Sequence, residues 1–508
     1  MNNGKIIELD GLGELRQRQR DQKIVQCHGV FDVLHAGHLA YFESAKRHGS
    51  TLIVTITSDE FISKGPWRPF FNIAVRANMV AALEIVDFVV ISRHPTAVPL
   101  IEAIKPDFYV KGSDYRDQEK DITRGIHEEK KAVERVGGRF VITDDEKHSS
   151  STLINKFFNP WTQEQTRAIT GINELGGLAA INEALEKLRG ERVCVIGEPI
   201  IDTYSFCAPE AISSKSPSIS ARFLYEENYP GGSFAIANHL CDFVGHVTLL
   251  FTHGGEPELE ELIQNQMDPR IEFLSFKLAN VPTPRKTRYI ESLRSQRMFE
   301  VTNLRSDQWS EHSCDKFLEM MKEANAQSTI TILADFGHGL FEQSVLEEAG
   351  KLKGFVALNV QTNSSNYGFN PFTKHRNYSY LSIDNNELRI AYHDRFTPVI
   401  QLARKAWHEA RPSKIALSLT AGPDGSFYFP RNSDQECPMP GFADWVVDST
   451  GAGDAFFALT SLLVKSECPD LFVPFTGNVF AGLKTKIIGN KRPVSRAQLM
   501  KSLTGILS

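Results

Sequence analysis

The sequence lacks the features that mark membrane-spanning, secreted and nucleic-acid-binding proteins. No apolar stretch reaches the roughly 18 residues that a membrane-spanning helix needs, and residues 1–10 contain no apolar core of a signal peptide. The seven cysteines are scattered without a CxxC pair, which is typical of reduced thiols in the cytoplasm. The net charge of −6 provides no excess of positive charge for a nucleic acid. We therefore expect a cytoplasmic protein that acts on small molecules and has neither a nucleic-acid nor a membrane partner.

A Walker A motif is also absent, which argues against a P-loop kinase. The chain of 508 residues is too long for a single hydrophobic core, so we expect more than one domain. A polar, Ala-rich stretch interrupted by Gly176 and Gly177 separates two α/β patterns. We therefore place an N-terminal domain at 1–158, a helical linker at 159–190 and a C-terminal domain at 191–508.

Both predicted domains alternate short apolar runs with helical periods, which indicates parallel sheets of the α/β class. The N-terminal strands are expected in "KIVQCHG", "STLIVTITS", "DFVVIS", "PDFYVKG" and "RFVITDD". The second series starts at "RVCVIGEPIID" and ends in helical patterns from Gly451 onward. We expect a Rossmann-like sheet in the first domain, and in the second a larger α/β sheet with a small accessory lid.

The segment "HGVFDVLHAGH" places His35 and His38 three residues apart where a strand is predicted to turn into a helix. A helix N-terminus binds phosphate through its unpaired N–H groups and its dipole. Two imidazoles in the first turn lie on one face, where they can donate hydrogen bonds to phosphate oxygens as charge develops. Two alternatives remain open at this point: simple helix capping, and a metal site made of Cys27, His28 and the two histidines.

The same segment resembles the GxFDxxHxGH signature of the nucleotidyltransferase superfamily that includes the cytidylyltransferases. The motifs "KGPWRP", "VRANMVAALEIVDFVV", "IKPDFYVKGSDY" and "SSSTLI" recur in the same order. The resemblance implies that His35 and His38 hold the nucleotide phosphates and that Lys46 stabilises the α-phosphate. "DEKH" stands where the family often has an arginine, so either Lys147 replaces that arginine or the contact is lost. The implied nucleotide-binding residues are Gly29, Phe31, Lys64, Arg68, Lys111, Gly112, Asp114, Ser150, Ser151 and Thr152.

A second motif, "VVDSTGAGDAFFA", places small residues just before an apolar helix. Gly451, Ala452 and Gly453 would direct backbone N–H groups at one point and form an anion hole. Asp454 follows in the first turn, where a carboxylate can take a proton from a substrate hydroxyl. The plainer alternative is an aspartate that caps a helix after a glycine turn.

The stretch "DSTGAGDA" resembles the signature of ribokinase-like sugar kinases, in which this aspartate is the catalytic base. The resemblance implies that Asp202, in "GEPIIDTY", binds sugar hydroxyls, and that Gly231 and Gly232 close over the substrate. ATP binding is implied for Thr420, Gly422, Gly425, Gly451, Ala452, Gly453 and Asn478. The family's NxxE motif, which helps to organise Mg²⁺, appears here as Asp384 to Glu387, and aspartate can still serve a hard cation.

Two features depart from the kinase pattern. Ala235 stands where the family has an asparagine, and the region "NVQTNSSNYGFNPFTKHRNYSYLSIDNNEL" is rich in asparagine. These departures indicate either a specialised substrate pocket or a kinase that has lost its activity.

Both domains also occur, in the opposite order, in the bifunctional enzymes of ADP-heptose synthesis. We therefore expect a bifunctional, homo-oligomeric enzyme that makes a nucleotide-activated sugar or polyol, with a heptose-like substrate favoured. It would use Mg²⁺ with ATP, or with CTP at the nucleotidyltransferase site. Two alternatives stand beside it: a working nucleotidyltransferase with a degenerate kinase scaffold, and a non-catalytic nucleotide-binding regulator.

Overall fold

The computed structural model divides into two compact units, 1–162 with 496–508, and 163–495. The described residues are 4–7, 22–62, 68–112, 125–143, 161–212, 216, 218–278, 281–293, 296–304, 311–364, 366–410 and 415–507. Within these ranges, no helix combines the length and the apolarity needed to cross a membrane.

The first unit is built on a six-stranded sheet whose strands all pair in parallel, in the order β1-β4-β3-β2-β5-β6. Its strands are β1 (Ile6–Ile7), β2 (Ile24–Gly29), β3 (Thr51–Thr57), β4 (Phe88–Ser92), β5 (Phe108–Lys111) and β6 (Arg139–Ile142). Among the described residues up to 162, its helices are α1 (Ala36–Lys46), α2 (Ile73–Ala81), α3 (Val98–Ile104) and α4 (Gly125–Arg135). Every residue of β3 is buried, as expected for a parallel strand covered on both faces. The five predicted strands and the Rossmann-like fold class are confirmed, and β1 adds a short edge strand.

The second unit contains a nine-stranded sheet and a separate four-stranded sheet. Its strands are β7 (Arg192–Gly197), β8 (Pro199–Ile212), β9 (Ile219–Gly232), β10 (His246–His253), β11 (Ile271–Lys277), β12 (Arg285–Glu291), β13 (Gln296–Asn303), β14 (Ile330–Asp335), β15 (Phe355–Val360), β16 (Tyr380–Asp384), β17 (Ala416–Thr420), β18 (Ser426–Phe429) and β19 (Cys437–Met439). The remaining helices are α5 (Gln163–Glu174), α6 (Gly177–Lys187), α7 (Ser233–Leu240), α8 (Pro257–Gln266), α9 (Glu311–Ala326), α10 (Gln343–Ala349), α11 (Asn385–Tyr392), α12 (Val399–Ala410), α13 (Ala452–Lys465), α14 (Phe472–Lys484) and α15 (Arg496–Leu507).

The large sheet has the order β11-β10-β7-β14-β15-β16-β17-β18-β19 and is parallel from β11 to β17. Parallel strands end at one edge, so the loops after β7, β14, β15, β16 and β17 meet there, where α/β proteins bind ligands. The small sheet, β13-β12-β8-β9, is the accessory lid predicted from the sequence. Strands β8 and β12 pair in parallel and carry side chains toward the same region.

The C-terminal helix α15 groups with the first unit rather than the second. Its apolar residues Leu499, Met500, Leu503 and Ile506 are all buried. The sequence alone predicts a second domain that runs from residue 191 to the end and a linker at 159–190. Helices α5 and α6 occupy that linker stretch and group with the second unit. A boundary drawn along the chain cannot show that the last helix returns to the first unit.

We predict that Leu503→Ala destabilises the first unit by about 2–5 kcal/mol, because it leaves a cavity at a fully buried site. Hydrogen exchange resolved by peptide is the measurement. Exchange is expected to rise in residues 22–112. Faster exchange confined to residues 192–495 would show that α15 is stabilised by the second unit instead.

Candidate active sites

The two histidines of the first motif lie side by side at the N-terminus of α1. His35 is the N-cap residue, and its Nδ1 accepts a hydrogen bond from Gly37 N at 3.1 Å. The His35 and His38 rings stack with centroids 3.9 Å apart. Nδ1 of His35 therefore caps the helix, and a phosphate role for this ring would use its other nitrogen, Nε2. The stacked rings lie beside the positive end of the helix dipole.

A third imidazole, His28, lies at the carboxyl end of β2. Its Nδ1 lies 2.9 Å from Thr55 Oγ1, and its Nε2 lies 3.3 Å from Thr57 Oγ1. Burial lowers the pKa of His28 well below its usual value, and the positive charges of Lys111 and Lys501 lower it further. His28 is therefore neutral, and α15 brings the charge of Lys501 toward this site.

The metal-site alternative is not supported by the described residues. Both ring nitrogens of His28 already lie at hydrogen-bond distance from threonine hydroxyls. No group of three or more His, Cys, Asp or Glu side chains in the described ranges is arranged to hold a metal ion.

The loop between β2 and α1 is strained, and its aromatic residue belongs to the core. Phe31 and Val33 have φ values of +49° and +40°, a region that side chains rarely adopt. The Phe31 ring packs on His38 with centroids 5.5 Å apart and on Phe42 at 5.0 Å. The side chain of Phe31 is therefore buried and packs against His38 and Phe42. A Cβ at Gly29 would lie 3.0 Å from the Phe31 ring, so a larger residue there would require the ring to shift by a few tenths of an ångström.

Arg76 is the anchor of this loop. It is fully buried, and its guanidinium donates to Val30 O at 2.5 Å, Phe71 O at 2.9 Å and Thr57 O at 2.9 Å. It also donates to Asp59 Oδ1 at 2.6 Å. One planar fork thus joins the motif loop, the end of β3 and the start of α2.

Two more predicted residues lie near this edge but are already paired. Arg68 is buried beside Asp32; burial lowers its pKa, and the Asp32 charge opposes that shift. Lys111 forms an ion pair with Glu129 at 2.9 Å, and Gly112 follows it at the end of β5. A nucleotide would therefore have to compete with, or add to, these pairings.

Lys46 lies at the wrong end of α1 for the role predicted from the resemblance. Its Nζ donates to Ser50 O at 2.6 Å and forms an ion pair with Asp87, which also accepts from Leu52 N. Leu52 lies at the amino end of β3, whereas the histidines follow the carboxyl end of β2, at the opposite ends of the parallel strands. Eight residues of helix separate His38 from Lys46, or about 12 Å at 1.5 Å per residue. The assignment of Lys46 to the α-phosphate is therefore wrong.

Six residues implied by the nucleotidyltransferase resemblance lie outside the described residues. These are Lys64, Asp114, Lys147, Ser150, Ser151 and Thr152.

In the second unit, the predicted base Asp454 is buried in the first turn of α13. Its Oδ1 accepts a hydrogen bond from Gln361 Nε2 at 2.8 Å. Burial raises the pKa of Asp454 to about 7, and the negative charge of Asp202 acts in the same direction. Lys484, Lys286 and the bond from Gln361 act in the opposite direction. A carboxylate with a pKa near neutrality is suited to accept and release a proton.

The turn before α13 has the geometry of an anion-binding helix start. Gly451 is the N-cap with φ +77°, and Ala452 N donates to Ser449 O at 3.2 Å. The N–H group of Gly453 follows in the first turn, where helices leave N–H groups without intrahelical acceptors. The buried Lys484 ammonium donates to Thr450 O at 2.7 Å and Gly489 O at 2.6 Å, which holds this turn in place.

Asp448 holds the same turn from the other side. It accepts hydrogen bonds from Tyr204 Oη at 2.7 Å, Gly489 N at 2.8 Å and Thr450 N at 3.0 Å. Burial opposes its ionisation, but these bonds prevail and lower its pKa to about 2. Asp448 is therefore a permanent anion with a structural role.

The predicted sugar-binding residues meet at the lid. Asp202 on β8 pairs with Arg288 Nη1 on β12 at 2.5 Å, and Lys286 stands beside Asp202 in the strand register. A side chain at Gly231 would lie 2.5 Å from Asp202 Oδ2. At Gly232, with φ +61°, it would lie 2.5 Å from Glu198 O. Both glycines are therefore required by close approach.

Three of the residues assigned to ATP lie where β17 ends and the chain turns into β18. Thr420 ends β17, and Gly422 and Gly425, with φ of +58° and +93°, shape the turn into β18. Asn478 donates to Met439 O at 3.1 Å and Pro440 O at 3.0 Å, so its amide fixes the segment that packs on Gly425. Asn478 therefore stabilises the turn at Gly425 indirectly, by holding Met439 and Pro440 against it.

Asp384 and Glu387 form a capping box at α11 rather than a metal site. Asp384 Oδ1 accepts from Glu387 N at 2.7 Å, and Glu387 Oε2 accepts from Asp384 N at 2.9 Å. Glu387 Oε1 accepts from Thr362 N at 3.3 Å, and burial raises the pKa of Glu387 well above its usual value. With three of four oxygens bound to backbone N–H groups, the pair does not fit a divalent cation as a ligand set of its own.

The asparagine-rich region is a hydrogen-bonded scaffold at the carboxyl ends of β14 and β15. Asn363 and Asn366 each donate from Nδ2 to Phe336 O at 2.9 Å. Asn370 Nδ2 donates to Asp335 Oδ1 at 3.1 Å and Gln361 O at 3.0 Å. The amides therefore replace a regular element, which accounts for the composition of this region.

Four polar residues near Asp454 were not predicted from the sequence: Lys286, Arg288, Gln361 and Lys484. Lys286 and Arg288 are two residues apart in "RKTRYIE", so both lie on one face of a strand. This pair of cations could have been recognised in the sequence as a candidate anion-binding pair. Gln361 and Lys484 carry no local signal, because their roles depend on contacts distant in the chain.

Comparison with known proteins assigns the two regions separately. A family model described as cytidylyltransferase-like matches residues 27–157. The Bifunctional protein HldE of Geobacter metallireducens is 36% identical over 171 residues, which are 32% of this chain and 33% of that protein. The HldE of Edwardsiella ictaluri is 42% identical over 144 residues, 28% of this chain and 29% of that protein. The chain thus spans about a third of the length of these curated relatives.

The structural likeness covers the larger part of the chain. Phosphofructokinase-2 from Escherichia coli in complex with potassium superposes with a TM-score of 0.50 at 16% identity, covering 63% of this chain and all of that one. A mutant of the same enzyme gives the same values. At this identity the likeness shows the fold. The chain therefore combines a region similar to the cytidylyltransferase-like family with a region that has the fold of phosphofructokinase-2.

Proposed function

We propose that this protein is a bifunctional enzyme that phosphorylates a sugar, or a sugar phosphate, and transfers a nucleotidyl group to a sugar phosphate. The observation that carries the proposal is that each unit places its chemical side chains at the N-terminus of a helix following a parallel sheet. His35 and His38 stack there in the first unit, and Asp454 is buried there in the second.

In nucleotidyl transfer, an oxygen of the sugar phosphate attacks the α-phosphorus of the nucleotide. The bond from that phosphorus to the bridging oxygen breaks, and pyrophosphate leaves. Negative charge increases on the phosphate oxygens, and imidazole N–H groups beside a helix N-terminus stabilise it. The stacked pair, His35 and His38, would supply these donors.

In phosphorylation, the sugar hydroxyl attacks the γ-phosphorus of ATP, and ADP leaves. Asp454 takes the hydroxyl proton, while the N–H group of Gly453 at the start of α13 stabilises the transferred group. Asp202, oriented by Arg288, would bind neighbouring hydroxyls. The nucleotide would extend along the sheet edge toward Gly422 and Gly425.

Similarity to the HldE proteins favours a heptose-like substrate and ATP, with CTP as the alternative nucleotide. Mg²⁺ would arrive with the nucleotide as the counter-ion of its phosphates. We place the enzyme in the cytoplasm as a homo-oligomer, and the exposed aromatic residues of the lid, Phe223 and Phe299, are where a second copy would contact it.

Two observations favour a second candidate, in which only the nucleotidyltransferase is active. Ala235 is buried in α7 without a polar group, and Asp384 and Glu387 are engaged with each other's backbone. The second unit would then be a scaffold or sensor. A regulator without catalysis would require both sites to be inactive.

For nucleotidyl transfer, we predict that His35→Asn and His38→Ala each lower kcat by about 10²–10³, because each removes a donor to the transition state. Asparagine retains an acceptor for the helix cap, so His35→Asn should fold normally. The measurement is pyrophosphate release from four nucleoside triphosphates with a panel of sugar 1-phosphates. Wild-type kcat in both variants would remove these histidines from the mechanism.

For the kinase, we predict that Asp454→Asn abolishes sugar-dependent ADP formation while nucleotidyl transfer from a supplied sugar 1-phosphate continues. Asparagine keeps the shape of the side chain but cannot accept the proton. Because the pKa of Asp454 is raised to about 7, wild-type kinase activity should increase as the pH rises through 7. Wild type without ADP release on any sugar would favour the scaffold alternative instead.

A further inference from the structure

Gln361 is placed to act on Asp454, and nothing in the kinase resemblance assigns it a role. It directly follows β15, and its backbone is held on both sides. Gln361 N donates to Asp335 O at 2.8 Å, and Gln361 O accepts from Asn370 Nδ2 at 3.0 Å. With the main chain held, the side chain reaches across to Asp454 Oδ1 at 2.8 Å.

We propose that Gln361 is a positioning residue for the base Asp454 in the kinase reaction. Its amide holds one carboxylate oxygen, which turns the other toward the substrate hydroxyl. The same bond favours the ionised carboxylate, which is the form that accepts the proton. The inference rests on the proposed kinase function.

The asparagine-rich scaffold explains how a flexible glutamine can hold a fixed position. Asn363, Asn366 and Asn370 bind the main chain of the loop that follows β14. His375 Nε2 and Lys374 Nζ reach the buried carboxylate of Asp335 at 2.6 and 2.7 Å. The segment is therefore fastened at several points to the strand that also fixes Gln361. Its departure from the kinase pattern serves the base, which argues for a specialised site over a lost one.

Charged or titratable groups on four elements face Asp454. Asp202 on β8 opposes its ionisation, while Lys286 on β12 and Lys484 on α14 favour it. On α11, the negative charge of Asp454 raises the pKa of Glu387 further. Gln361 adds a neutral donor at hydrogen-bond distance. Gln361 therefore orients the carboxylate and adds no charge of its own to the site.

The test compares Gln361→Met, Gln361→Glu and Gln361→Lys with the wild type in the full chain. Sugar-dependent ADP formation is measured from about pH 5.5 to about 9, with KM for sugar and ATP. Hydrogen exchange in residues 192–495 reports whether the second unit is folded in each variant. Gln343→Met is the matched control, since Gln343 is exposed on α10 and bonds to Glu347.

Methionine removes the donor, so the acidic limb of the kcat profile should move up by about one pH unit, with about tenfold lower activity on that limb. Glutamate also adds negative charge and should shift it further. Lysine restores a donor and should return the limb to the wild-type position or below it. KM values and the control should remain unchanged.

An unchanged profile in both Gln361→Met and Gln361→Glu, with an active wild type, would overturn the inference and leave the proposed kinase intact. A loss of activity at all pH values in all three variants would show a structural role instead. Absence of ADP formation in the wild type would overturn the kinase proposal, and this inference with it.

Discussion

Removing the Asp454 carboxylate from water costs several kcal/mol unless nearby groups replace its hydration. That constraint organises the sheet edge of the second unit. Two lysines, Lys286 and Lys484, approach from the lid and from α14, and Gln361 donates directly. The compensation is incomplete, so burial still raises the pKa of Asp454 to about 7. An incompletely compensated carboxylate is a better base near neutral pH than a fully paired one such as Asp448.

The first unit solves a related problem with the opposite charge. Arg76 is buried, and its guanidinium is matched by three carbonyls and one carboxylate. These bonds hold the loop in which Phe31 and Val33 adopt positive φ values. The strained loop then delivers His35 to the start of α1. A buried charge thus shapes the backbone in one unit and performs the proposed chemistry in the other.

The departures from the kinase pattern divide into two kinds. The asparagine-rich region builds a scaffold through side-chain amides, because amides can donate to carbonyls where no regular element continues. Asp384 and Glu387, by contrast, stabilise a helix start and have few oxygens left for a cation. The first departure supports a specialised site, whereas the second has a structural role at the start of α11.

The sequence by itself determined the α/β class, the succession of most strands along the chain and the two helix-start motifs, because hydrophobic periodicity and short-range spacing are local. The pairing of His35 with His38 follows from three residues of helix. The α-phosphate role expected for Lys46 was wrong because a local motif does not show that this side chain pairs with Asp87, which lies far away in the chain. Only the tertiary structure decided that α15 returns to the first unit and that Lys484 and Gln361 reach Asp454. Those contacts join segments far apart in the chain, and burial, which sets the pKa of Asp454, exists only once they have formed.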